Sequence, residues 1–104
     1  MIEEKQVEAA LNYLSKTDEQ SAAAKGRVKA LEYRLKVEKA IQFLQASGTV
    51  AEKEATSLAS ETYADMVNEY QEAVTEFETF AAKRERAVLT IDVWRTEAAN
   101  RRNG

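Results

Sequence analysis

The chain has 104 residues, 32% of them charged and 44% apolar, with no Pro, no Cys, no His and three Gly. That is enough for one domain over residues 1–104, and the abundance of Ala, Glu, Lys, Arg and Leu is the usage of long helices. The formal net charge of −3 is too small for a polybasic nucleic-acid coat or a strongly acidic mimic of DNA.

Without His or Cys there is no Ser–His or Cys–His nucleophile pair, no ExxH di-iron site and no disulfide framework. Three isolated glycines make no phosphate-cradling loop. The N-terminal MIEEKQVEAA lacks the apolar core of a signal peptide, and no run of 18 apolar residues is present to span a bilayer. The expectation is a soluble, cytoplasmic, all-α protein that is not an enzyme, carries no cofactor and does not engage a membrane.

In chain order, Val7, Ala10, Leu11 and Leu14 lie at helical spacing and predict an amphipathic helix over about 3–15. The stripe lapses over SKTDEQS, where Thr17 and Gln20 have capping-box spacing, so a break or bend is expected there. Positions 7, 14, 21, 28 and 35 nevertheless keep one heptad phase, and a single unbroken helix to residue 46 is the rival reading. The pattern is strong over 18–46 and stops at SG, with Gly48 suited to the left-handed backbone that follows a helix. Thr49 and Glu52 repeat the capping-box spacing before a short helix over about 50–58, and Ser60 can cap the next one. From 61 to about 102 nothing interrupts helix, a run of roughly 60 Å at 1.5 Å per residue that requires a partner along its length. Tyr63, Val67, Tyr70, Val74, Phe77, Ala81, Arg84, Val88, Ile91, Arg95 and Ala98 form its expected seam. Met66, Ala73, Phe80, Ala87 and Trp94 form a flanking column every seven residues.

Folding the chain back across 47–60 gives a long antiparallel, coiled-coil-like helical hairpin in which opposite positions sum to about 107. In that register the charges match. Residues 25–39 carry six bases and two acids and face 68–82, with four acids and no base; residues 1–24 carry five acids and two bases and face 83–104, with six bases and three acids. Exposed ion pairs contribute about 0.2–1 kcal/mol each, so such a ladder selects register more than it stabilises. It offers Lys83, Arg84, Arg86 and Arg95 carboxylates in Glu19, Asp18 and Glu8.

At 100° per residue, Val28, Leu31 and Leu35 lie on one side of the second helix, while Tyr33, Val37, Ile41 and Leu44 lie nearly opposite. One hairpin arm cannot cover both sides. Burial of a Leu or Ile contributes about 1.5–3 kcal/mol, so the exposed set predicts self-association, most simply a two-fold homodimer that turns two hairpins into a bundle. Tyr33, Val37, Ile41, Leu44, Met66 and Phe80 are the expected interface. Arg84, inside the seam, suits either a stem packed along apolar surface with its head in water or a specifying polar contact across the dimer.

Two other clusters carry chemistry. Trp94, Arg95, Arg101 and Arg102 near the C-terminus suit stacking on a base and holding phosphates of a single strand, or else Trp94 packs in the apolar column while the arginines complement the helix dipole. Glu69, Glu72 and Glu76 have the spacing to hold a divalent cation, but no second ExxE or ExxD pair follows, and the charge ladder accounts for them without a metal.

The segments ALNYLSKTDE (Ala10 to Glu19), ALEYR (Ala30 to Arg34), ASGTVAE around Gly48 and VWRTEAANRR (Val93 to Arg102) give the chain its resemblance to small helical proteins of unassigned role encoded by tailed bacteriophages. The resemblance runs along most of the length and implies an accessory role in phage DNA metabolism, near recombination and single-strand-binding functions. It supplies no catalytic or binding residues. Together these readings point to a non-catalytic accessory factor that oligomerises and binds another protein in DNA recombination, replication or counter-defence. A single-stranded nucleic-acid binder and, more remotely, a carboxylate metal enzyme are the alternatives.

Overall fold

The computed structural model describes residues 1–103 and shows an all-α helical hairpin. Among those residues the helices are α1 (Glu4–Gln45), α2 (Val50–Ala59) and α3 (Glu61–Asn103), with no strand. None is long and apolar enough to cross a membrane. The chain divides into two compact units: Met1–Ala23 with the residues from Phe77 onward, and Ala24–Glu76.

The local signals at the turn act as their chemistry dictates. Gly48 has φ of +108°, a backbone that L side chains avoid, and a Cβ there would collide with the Glu52 carboxylate. The Thr49 hydroxyl accepts the Glu52 N–H at 3.2 Å and caps α2. Ser60 is extended, separates α2 from α3, and caps α3 by accepting the Tyr63 N–H at 3.1 Å.

The break expected near 16–18 does not occur, and α1 is one helix. Thr17 is not a cap. Its hydroxyl donates to the Tyr13 carbonyl at 2.7 Å, one turn back, and accepts from Arg84 Nη1 at 2.7 Å, so the group that would have ended one helix is consumed inside a continuous one.

The register also differs from the expected fold-back. The reversal takes place at 46–49 alone, and α2 already belongs to the returning arm. Ser57, fully buried, donates from its hydroxyl to the Lys39 carbonyl at 2.6 Å, and the Lys53 ammonium stands 5.6 Å from the Phe43 ring centroid. In the unit of residues 24–76 the Tyr70 hydroxyl donates to Glu32 at 2.9 Å. In the other unit Arg84 meets Thr17, where the expected register places about residue 90.

In α1 the inward positions are 7, 10, 14, 17 and 21 in the first unit and 24, 28, 31, 35, 38 and 42 in the second, alternating by threes and fours. In α3 the centre of the seam lies on the column expected to flank it. Ala73 and Ala87 are buried, whereas Val88 and Arg95 of the expected seam are exposed. Small alanines let the helices approach, so the row containing them takes the middle, while the other residues of the expected seam stay half-buried beside it. The core is lean as a result: among the described residues the buried apolar side chains are Val7, Ala10, Ala24, Leu31, Ala73 and Ala87.

Candidate protein-binding surface

The outward face of α1 in the unit of residues 24–76 leaves four large apolar side chains uncovered. Tyr33 is 71% exposed, Leu44 79%, and Val37 and Ile41 are 40% exposed each. They point away from Leu31, which is 2% exposed and faces the seam. Gly26, Ala30 and Ala40 are exposed and complete the row. Gly26–Ala30–Tyr33–Val37–Ala40–Leu44 therefore repeats the alternation of fours and threes that builds a coiled-coil seam, on the side of the helix that has no partner. The contribution of Gly26, Ala30 and Ala40 is missed when only large side chains are counted; their spacing is the signal that would have found them.

The residues of the expected interface differ in exposure. Tyr33, Val37, Ile41 and Leu44 form this face, but Met66 and Phe80 are half-buried and lie on the inward column of α3. A widened helix face leaves open which column meets the hairpin's own partner, and here the Met66 and Phe80 column does.

Gly26 sits in the helix interior with open space where a Cβ would project. Gly26→Ala is expected to stabilise the chain by about 1 kcal/mol, raising Tm by about 4–8 °C in a thermal melt, because Ala restricts the unfolded chain and favours helix. A fall in Tm would show that the position tolerates no methyl.

Charge frames the row. Lys25, Lys29 and Lys36 border it on one side and Arg34 on the other, all exposed and none ion-paired among the described residues. Arg27 is spoken for: its guanidinium lies 3.8 Å from Glu69 and 3.4 Å from Glu76. Of the α1 acids in this stretch, the exposed Glu32 is bonded by Tyr70 and the half-buried Glu38 by Gln42 at 2.8 Å. The hydrogen bond to Glu32 is the main reason the Tyr70 phenol is pushed above its ordinary pKa, with desolvation and the carboxylate's charge adding to it. At one end a groove of about 420 Å³ runs between α1 and α2, lined by Lys36, Lys39, Ala40, Phe43, Leu44 and Glu54.

Arg84 is the polar node of the other unit. Its Nη1 donates to the Leu14 carbonyl at 2.9 Å and to Thr17, and its Nη2 pairs with Asp18 at 2.6 Å. The side chain is 25% exposed. The hairpin's own first arm thus takes three of the guanidinium's hydrogen bonds. Of the cross-arm pairs expected for Lys83, Arg84, Arg86 and Arg95, this is the one formed among the described residues; Arg95 instead lies 3.8 Å from Asp92 on its own helix.

Trp94, Arg95, Ala98, Arg101 and Arg102 line one open depression of about 610 Å³. Trp94 is half-buried and Arg101 Nη1 lies 3.7 Å from the Met1 sulfur. The carboxylates of α3 do not converge. Glu69 and Glu76 turn to Arg27, while Glu72 lines a shallow groove with Asn68, Gln71 and Thr75, and among the described residues no three His, Cys, Asp or Glu stand close enough to hold a metal.

Compared with protein families, curated proteins and solved structures, the chain matches none.

Proposed function

We propose that the protein is a non-catalytic accessory factor that works by binding another polypeptide along the outward face of α1, in phage DNA recombination, replication or counter-defence. The observation that carries the reading is the uncovered row through Tyr33, Val37 and Leu44 in a chain whose own core is mostly alanine. Contiguous apolar surface framed by charge marks interaction sites, and a helix face with anchors spaced by threes and fours suits a second helix. The phage setting is supported by the resemblance of Ala10–Glu19, Ala30–Arg34 and Val93–Arg102.

The test compares the wild-type chain with a Val37→Asp, Leu44→Asp variant in sedimentation and in affinity capture from infected bacterial cytoplasm. The wild type should hold a stoichiometric polypeptide, a second copy or another protein, and the variant should lose it with an unchanged melting curve. Equal capture by both would remove the reading.

A second reading is favoured by one observation, the convergence of Trp94 with three arginines around a single depression. An aromatic face beside guanidinium groups suits single-stranded nucleic acid. Binding of a short oligonucleotide should then weaken steeply with salt and vanish on Arg101→Ala with Arg102→Ala. Absence of binding at low salt would end it.

A further inference from the structure

The row on α1 is an apolar seam with a cationic border, and the two properties together identify what covers it. Resting on the protein-binding reading above, we infer that its occupant is an amphipathic helix of a different protein whose apolar stripe is flanked by Asp and Glu.

The argument is one of charge matching. In a paired helix seam the positions beside the apolar row face each other across the interface, and their charges decide partner and orientation. Here those positions on α1 hold Lys25, Lys29, Arg34 and Lys36, with no ion pair of their own among the described residues. Against these four cations the same stretch of α1 has two acids, the half-buried Glu38, held by Gln42, and the exposed Glu32, held by Tyr70, so the border stays net cationic. Glu54, at the rim of the groove beside Leu44, is the one acid contributed from α2, against Lys36 and Lys39 in the same groove.

A second copy matches less well. Antiparallel pairing of this face with itself brings cations of one copy onto cations of the other, and like charges across a seam oppose association. The outward side of α3 in the same unit presents Asn68, Gln71, Glu72 and Thr75, acidic in part but without an apolar row to fill the seam. Nucleic acid matches less well again, because phosphates would satisfy the lysines and leave Tyr33, Val37 and Leu44 unburied.

Fluorescence anisotropy tests this with the full chain and two labelled synthetic helical peptides of about three heptads, each with Leu at the seam positions, one with Glu and one with Lys at the flanking positions. The acidic peptide should bind at least about 10-fold more tightly than the basic one, lose about 10-fold between low and high salt, and be lost on Val37→Asp. Lys29→Glu with Lys36→Glu should reverse the preference, a readout that misfolding would not produce.

Equal binding of both peptides, lost on Val37→Asp, would overturn the acidic partner and leave the protein-binding reading standing. So would sedimentation as a dimer that Val37→Asp dissociates. Binding of neither peptide together with a monomeric chain would overturn both, and so would displacement of the acidic peptide by an oligonucleotide.

Discussion

Leu31→Ala is expected to destabilise the chain by about 2–4 kcal/mol, the largest loss of any single truncation, measurable as a shift of the urea midpoint followed by far-UV circular dichroism. Leu31 is the one large apolar side chain among the buried residues of its unit, where Ala24 and Ala73 are its buried companions. Alanines bury little area each, the larger apolar side chains around them are only half-buried, and helices this long offer no loop that could collapse into the cavity. The contrast is Leu44→Ala, the same chemical change on the same helix at a residue 79% exposed. It should fall within about 0.5 kcal/mol of wild type. Equal losses at the two positions would mean that the seam and the outward face have been assigned the wrong way round.

Arg84→Ala comes next, at about 2–3 kcal/mol and a fall in Tm of about 10–20 °C. Three hydrogen bonds are lost with it, and the Thr17 hydroxyl, buried in the seam, is left with the Tyr13 carbonyl alone. The ion pair is the smaller part of this, because Asp18 is 66% exposed and its attraction is screened by water. Asp18→Ala should therefore cost under about 1 kcal/mol. Arg84→Lys should recover only part of the loss, since one ammonium cannot reproduce a fork that reaches a carbonyl, a hydroxyl and a carboxylate at once. If Asp18→Ala proved as costly as Arg84→Ala, charge rather than the buried hydrogen bonds would be what ties the arms together.

These residues also show how far the amino-acid sequence carries the fold. Gly48, Thr49 and Ser60 announce their roles because a positive φ or a cap is settled by the few residues around it. Thr17 does not, because whether its hydroxyl caps a new helix or serves Arg84 depends on a residue 67 positions away. The register was hidden for a related reason. The charged blocks are long and uniform, so sliding one arm by more than a turn still sets bases against acids, and Arg27 finds Glu69 and Glu76 in a register other than the expected one. The column through Ala73 and Ala87 was underrated because alanine carries little hydrophobic weight although its size is what allows close approach.

The candidate surface was partly legible. Tyr33, Val37, Ile41 and Leu44 follow from their phase relative to Leu31 alone, which is a property of one helix. That Met66 and Phe80 lie on the inward column of α3 is not legible, because choosing between two apolar columns is a question about packing, not about periodicity. That Lys25, Lys29, Arg34 and Lys36 border the outward row without ion pairs of their own among the described residues depends on how the arms pack, which the charge pattern alone does not fix.

The claim on which the rest depends is that the outward face of α1 is where this protein meets its partner. A titration of the isotope-labelled chain with the acidic amphipathic peptide, followed residue by residue in amide correlation spectra, tests it most directly. Shifts confined to Gly26–Leu44 and the adjoining edge of α2 are the predicted result; shifts centred on Trp94–Arg102, or none along α1 in a chain that sediments as a monomer, would contradict it.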